Sequence, residues 1–109
     1  MGNRKKTEEV GIRGYQSISG LEADIMHFVW EKKKITVREV HEMLLRKEMA
    51  EKKSGFTPYT TVMSTMSSLA DRGFLKQDTS SKTYIYTAAM DSKELTKKII
   101  MAVAEKLLV

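Results

Sequence analysis

Apolar side chains recur at helical spacing in four segments of this chain, and each segment begins with residues that favour a helix start. The first two begin with capping boxes at residues 19–22 and 36–39, where a hydroxyl and a carboxylate lie three residues apart. The last begins at Asp91, with Glu94 three residues further on. The predicted core-facing positions of the first two helices are Leu21, Ile25, Met26, Phe28, Val29 and Trp30, then Val37, Val40, His41 and Leu44.

Residues 57–75 predict a third helix whose two ends are marked in the sequence. We expect Thr57 to cap its start, Pro58 to be its first residue, and Gly73 to stop it in the left-handed conformation. One side is apolar and carries Val62, Met66, Leu69 and Ala70, flanked by Tyr59 and Met63. The other side is short and polar and carries Thr60, Ser64, Ser67 and Asp71, with Thr61 and Ser68 at its margin. Exposed helices usually carry Lys, Glu, Gln and Arg, so the hydroxyl-rich face is predicted to contact a partner.

After residue 73 the apolar spacing changes from helical to strand-like. Residues 74–77 and 83–87 are rich in β-formers and flank the polar segment 78–82, which predicts a β-hairpin. Ile35 is predicted to begin a very short strand between the first two helices. The resulting fold is mainly α with a small β-hairpin: a winged helix-turn-helix, with a three-helix core plus a wing, and an appended C-terminal helix.

Three parts of the chain are expected. Residues 1–18 are predicted to be a flexible N-terminal arm, with Tyr15 and Ile18 docking onto the fold. Residues 19–88 form the winged-helix domain, and residues 89–109 form the C-terminal helix. That helix carries two apolar stripes, which indicates a partner, so we predict that it mediates dimerisation. The predicted dimerisation residues are Leu95, Ile99, Ile100, Val103 and Leu107.

Composition limits the possible functions mainly by excluding several classes of protein. The 109 residues suffice for one domain, there is no cysteine, and no window is apolar enough to span a bilayer, so a cytoplasmic protein is expected. No Gly-rich phosphate loop, nucleophile triad or metal-ligand spacing is present, and His27 and His41 lie on different helices without an acidic or cysteine cluster. We therefore predict no catalytic residues, no metal, no cofactor and no small-molecule ligand. The net charge of +5 permits a polyanionic partner without establishing one.

A winged helix-turn-helix suggests DNA as that partner. The second helix of such a motif lies in the major groove, and its first turns reach the base edges. The predicted DNA-contacting residues are Thr57, Tyr59, Thr60, Thr61 and Ser64 on that helix, with Arg38, Lys53, Arg72 and the wing residue Lys82 as phosphate contacts. Residues 32–34 are either a solvated helix end or a further phosphate contact. Two alternatives stay open: an exposed helix with only a Ser/Thr bias, and a protein-interaction module that does not bind DNA.

Several sequence blocks also resemble one known family. In chain order they are Leu21-Glu22-Ala23-Asp24-Ile25-Met26, Val29-Trp30-Glu31, Thr36-Val37-Arg38-Glu39-Val40, Tyr59-Thr60-Thr61-Val62-Met63 and Tyr84-Ile85-Tyr86. Together, over residues 21–87, they resemble the penicillinase-repressor family. The resemblance implies a winged-helix transcriptional repressor that binds a palindromic operator as a dimer, with residues after the wing forming the dimerisation region.

The chain also departs from that family's pattern. The loop at residues 50–56 is longer than usual, which changes how the third helix approaches DNA. The cysteine cluster of copper-responsive members and the Asn-Phe cleavage site of protease-inactivated members are both absent. Because the family's dimerisation region extends beyond one helix, we expect either a truncated chain or a naturally short member. The inducing signal is left unassigned.

Overall fold

The computed structural model describes residues 18–108 of the chain. The elements are α1 (Gly20–Lys32), α2 (Val37–Ala50), α3 (Tyr59–Asp71), β1 (Leu75–Asp78), β2 (Ile85–Ala88) and α4 (Ser92–Leu108). This order confirms the predicted fold, a mainly helical winged helix with an appended C-terminal helix. Most of the predicted N-terminal arm, including Tyr15, lies outside the described residues. Ile18 is half-buried and packs against the core, as predicted.

Both predicted capping boxes are present. In α1, the Ser19 hydroxyl accepts the Glu22 N–H at 3.1 Å, and the Glu22 carboxylate accepts the Ser19 N–H at 2.9 Å. Thr36 and Glu39 make the same reciprocal pair at the start of α2. Each cap satisfies backbone donors that the helix cannot, and such a cap typically stabilises by about 1 kcal/mol.

The fourth helix also begins where the sequence predicts. The Asp91 carboxylate accepts the N–H of Glu94 at 2.7 Å, and the Asp91 carbonyl accepts the N–H of Leu95 at 3.0 Å. The side-chain bond satisfies a donor of the first turn and fixes the start of α4 directly after the wing.

Two predictions for the start of α3 are wrong, since Thr57 is not its cap and Pro58 is not its first residue, whereas the prediction for its end is confirmed. The cap position is Pro58, which makes no side-chain capping bond, so Thr57 does not cap this helix. Its hydroxyl is drawn away because it donates to Glu48 of α2 at 2.6 Å. At the other end Gly73 adopts φ 87°, and its N–H reaches the Ala70 carbonyl at 3.1 Å. The Phe74 N–H reaches the Leu69 carbonyl at 2.9 Å, which completes a Schellman motif.

The core lies between the first three helices and the wing. Its fully buried large side chains are Tyr86, Phe74, Ile25, Met26, Ile35, Met66, Leu69, Val29, Val40 and Val62. Burial of such a side chain contributes about 1.5–3 kcal/mol. The predicted short strand at Ile35 is one antiparallel bridge to Tyr86, with N–H···O distances of 3.1 and 2.8 Å. His41, predicted on the core face of α2, is only half-buried.

The wing is a two-stranded antiparallel hairpin with Leu75 opposite Ala88 and Asp78 opposite Ile85. Its strands begin one and two residues later than predicted, so the connecting loop covers residues 79–84. At its start the Asp78 carboxylate accepts the N–H of Ser80 at 2.9 Å. That bond lowers the pKa of Asp78 and fixes the first residues of the exposed loop.

Candidate nucleic-acid interface

The third helix presents the two different faces that its sequence predicts. Val62, Met66 and Leu69 are fully buried, and they anchor α3 along its length. On the outer side Thr60, Thr61 and Ser64 are exposed. Between the faces Tyr59 and Met63 are 44% and 45% exposed, so they contribute surface as well as packing.

The hydroxyls of this face differ in how freely they can bind. Ser64 and Thr65 both donate to the carbonyl of Thr61, at 3.2 and 2.7 Å. Ser64 can therefore offer an acceptor outward as it stands, and it can donate outward only by releasing the longer of these bonds. Thr65 is half-buried and more tightly held. The exposed hydroxyls of Thr60, Thr61 and Ser64 form a short ridge over little more than one turn of α3.

Thr57 lies apart from this ridge, and its predicted DNA contact stays a prediction. Its side chain is half-buried and turned toward α2. Its hydroxyl and N–H both donate to Glu48, and its carbonyl lies 3.1 Å from Nε2 of His41. Because a carbonyl only accepts, His41 carries a proton on Nε2. Thr57 therefore connects the start of α3 to α2.

Of the four predicted phosphate-contacting side chains, three are exposed. Arg38 lies in the first turn of α2, Lys82 lies in the wing loop, and Lys53 lies in the loop before α3. The Lys53 ammonium lies 3.6 Å from a carboxylate oxygen of Glu51, an exposed pair that contributes little stability. These cations therefore remain accessible to a polyanion.

Arg72, the fourth, is engaged within the chain. Its guanidinium lies 2.8 Å from the Glu22 carboxylate of α1 and stacks 4.8 Å from the centre of the Phe74 ring. The ion pair with Glu22 links the C-terminal end of α3 to α1, and Phe74 lies in the segment directly after α3. The structure thus gives Arg72 a packing role, and its predicted phosphate contact stays a prediction.

Sequence reasoning missed Lys76 beside the wing and the buried carboxylate of Glu48, and it left Lys34, within residues 32–34, as either a solvated helix end or a phosphate contact. Lys34 and Lys76 line a groove between the α1–α2 connection and the hairpin, and both are exposed. Strand alternation could have placed Lys76 outward. Glu48 is 7% exposed and continues the buried stripe of α2 one turn beyond Leu44. A carboxylate at a core-facing position is a signal that it has a partner.

The Glu48 carboxylate stays ionised because its partners stabilise the charge. The Thr57 hydroxyl bond is the main cause that lowers the pKa of Glu48, and burial opposes it. The Thr57 N–H and the electrostatic influence of Lys53 and His41 lower the pKa of Glu48 further.

The predicted dimerisation residues fall into two groups. Leu95 is 4% exposed and belongs to the chain's own core, and Ile99 is half-buried against that core. Neither offers much surface to a partner. Ile100, Val103 and Leu107 are 61%, 38% and 77% exposed, and their spacing puts them on one face of α4. Met101 and Leu108 add further exposed apolar area.

Within residues 18–108 no three or more His, Cys, Asp or Glu side chains are grouped so that they could hold a metal ion. No helix within the same residues has the length and apolar character needed to cross a membrane.

Comparison with known proteins supports this interpretation at the level of the family. No curated protein matches the chain. The sequence model of the penicillinase repressor family matches residues 18–109, which include every helix and strand described above. That family consists of DNA-binding transcriptional regulators, in agreement with the winged-helix fold and the exposed ridge of α3. The chain belongs to the penicillinase repressor family.

Proposed function

We propose that the protein is a sequence-specific repressor that binds a palindromic operator in double-stranded DNA as a homodimer. The observation that carries this proposal is the exposed hydroxyl ridge of α3, held on a buried apolar face and flanked by exposed cations. Repression would follow from occupying a promoter.

The ridge has the chemistry needed to contact base edges. Thr60, Thr61 and Ser64 are short enough to let the α3 backbone approach the major groove, and their hydroxyls bond either bases or phosphates. The threonine methyls can pack against a thymine methyl. Tyr59, nearly half exposed at the first turn, extends this surface.

The cations around α3 would supply affinity that does not depend on sequence. Arg38, Lys53 and Lys82 are the contacts that the sequence predicts, and Lys34 and Lys76 extend the basic surface along the wing. Each phosphate that they neutralise releases counterions, so binding weakens steeply as salt rises.

Dimerisation would follow from the apolar face of α4. Ile100, Val103 and Leu107 are exposed on one face, and burying them against a second copy removes that apolar area from water. Two copies related by a twofold axis would place their α3 helices in major grooves about 34 Å apart, which matches a palindrome.

Selection from a pool of randomised duplex DNA tests the proposal. We expect the protein to enrich a palindromic sequence and to bind it far more tightly than mixed DNA, with affinity for both falling steeply between low and moderate salt. A protein that enriches no sequence would contradict the proposal.

The competing function is a winged-helix module that binds a protein and not DNA. Tyr59 and Met63 favour it, since they lie four residues apart on α3 and form a half-exposed apolar strip. The salt dependence of DNA binding distinguishes the two functions. Absent or salt-independent DNA binding would favour a protein partner.

A further inference from the structure

Glu48 stands out because it is charged, buried and bound at every oxygen of its side chain. It is the one buried charged residue within residues 18–108, at 7% exposed. Its Oε1 accepts the N–H of Thr57 at 3.0 Å, and its Oε2 accepts the hydroxyl of Thr57 at 2.6 Å. A buried carboxylate is costly unless it is bonded in this way, so this pair of bonds holds Thr57 firmly.

The bonds of Thr57 continue on its other side. Its carbonyl accepts from Nε2 of His41, about two helical turns back along α2 from Glu48. The His41 ring also meets the Tyr59 ring edge-on, with centroids 5.5 Å apart. All three hydrogen-bonding groups of Thr57 are therefore attached to α2, and the first residue of α3 is braced against the same helix.

Glu48 also closes the loop that leads into α3. Its backbone carbonyl accepts the N–H of Lys53 at 3.1 Å, and Lys52 takes φ 57° to allow this turn. The same residue thus holds the beginning of the loop by its backbone and the end of the loop by its side chain. This matters because α3 has no side-chain cap of its own. The core residues fix the middle of α3, and the bonds to Thr57 fix its first turn.

We propose that Glu48 is a positioning residue for DNA recognition: through Thr57 it sets where the first turn of α3, with Thr60 and Thr61, meets the base edges. The inference rests on the proposed function. It adds that part of the sequence specificity lies in a side chain that does not touch DNA, since a small shift of the first turn moves the hydroxyl ridge relative to the bases. Contacts from Lys53, Lys82 and other flexible cations tolerate such a shift, because phosphates carry no sequence information.

The test uses the full chain and the duplex that the wild-type protein enriches from a randomised pool. Glu48→Gln keeps the size of the side chain but places an amide donor against a Thr57 donor. We expect at least about a tenfold loss of affinity for the enriched duplex, with affinity for mixed duplex and the salt slope unchanged. Glu42→Gln is the matched control, because Glu42 is an exposed carboxylate on the same helix and makes the same change in net charge.

Thr57 variants separate positioning from general stability. Thr57→Val removes the hydroxyl at nearly constant volume and should lose affinity for the enriched duplex as Glu48→Gln does. Thr57→Ser keeps the hydroxyl and should restore wild-type affinity. The double variant Glu48→Gln/Thr57→Val should bind the enriched duplex only slightly more weakly than either single variant, since both substitutions break the same contact. If Glu48→Gln does not fold, the two Thr57 variants decide the question alone.

The outcomes distinguish this inference from the proposed function. A Glu48→Gln or Thr57→Val protein that binds the enriched duplex as tightly as Glu42→Gln overturns the positioning role. Equal losses on the enriched and mixed duplexes also overturn it, because they indicate a stability effect. If the wild-type protein enriches no duplex, the proposed function fails and the positioning role fails with it.

Discussion

The third and fourth helices are both amphipathic, yet the rest of the chain holds them very differently. α3 is anchored along its whole length by Val62, Met66 and Leu69, and its first turn is braced through Thr57. α4 packs into the core through Leu95 and leaves most of its apolar residues exposed. The difference shows that α3 is held by its own chain, whereas α4 keeps an exposed apolar face, the one that we propose binds a second copy.

The largest expected effect, on the free energy of unfolding, comes from a substitution that weakens the anchoring of α3 to the core. Met66 is fully buried, so Met66→Ala should lower the free energy of unfolding by about 2–5 kcal/mol through lost burial and a cavity. Thr60→Ala, on the exposed side of the same helix, should change it by less than about 0.5 kcal/mol. Urea unfolding followed by circular dichroism measures both. Similar values for the two variants would contradict the two-faced description of α3.

The next largest effect is expected from a variant that removes the apolar face of α4 without changing the core. Replacing Ile100 and Val103 together by Gln should give a folded monomer in sedimentation, because both side chains are exposed and Leu95 still anchors the helix. Affinity for a palindromic duplex should fall by about 10²-fold or more, since the second half-site no longer binds intramolecularly.

Thr96→Gln is the control for that double variant, because Thr96 is an exposed polar residue of α4. It should leave the association state unchanged. A double variant that stays dimeric would place the dimer interface elsewhere.

A smaller effect tests the hydroxyl ridge directly. Thr61→Ala should cost about 1–3 kcal/mol on the selected duplex and little on mixed DNA, since it deletes both a hydroxyl and the methyl of an exposed residue of α3. Fluorescence anisotropy with the two duplexes measures the difference. Equal losses on both would mean that Thr61 contacts only phosphate.

The smallest expected effect is the change of the free energy of unfolding with pH in the acid range. The folded-state pKa of Glu48 is lowered from its usual value of 4.5, so its contribution to stability is complete above that value and is lost as pH falls through the lower, folded pKa. Wild type and Glu48→Gln should therefore differ in unfolding free energy at neutral pH and converge in acid. A difference that persists below both pKa values would show that the bonds to Thr57 do not depend on the charge.

Local features of this structure were predictable from the sequence, and long-range partners were not. The capping boxes at Ser19 and Thr36 and the left-handed Gly73 depend on residues within a few positions of one another, so their patterns sufficed. Helical spacing likewise predicted the buried face of α3, because a single helix face meets the core.

The errors arose where a partner lies on another element. Thr57 has the residue type of a cap, but it bonds to Glu48, nine residues back. Arg72 bonds to Glu22, 50 residues away. On α4 two apolar stripes compete for the core, and only tertiary packing decides that Leu95 is buried while Ile100 and Val103 are not. Spacing alone carries no information about these choices.

Trp30 gives the molecule a built-in optical probe. It is the only tryptophan of the chain, and its indole N–H donates to the carbonyl of Met90 at 2.9 Å, directly before α4 begins. The ring is half-buried and meets the His27 ring edge-on at 5.5 Å. Intrinsic fluorescence excited at the indole band therefore arises from one position, the junction between the winged helix and α4. Changes in the attachment of α4 can be followed there without attaching a dye.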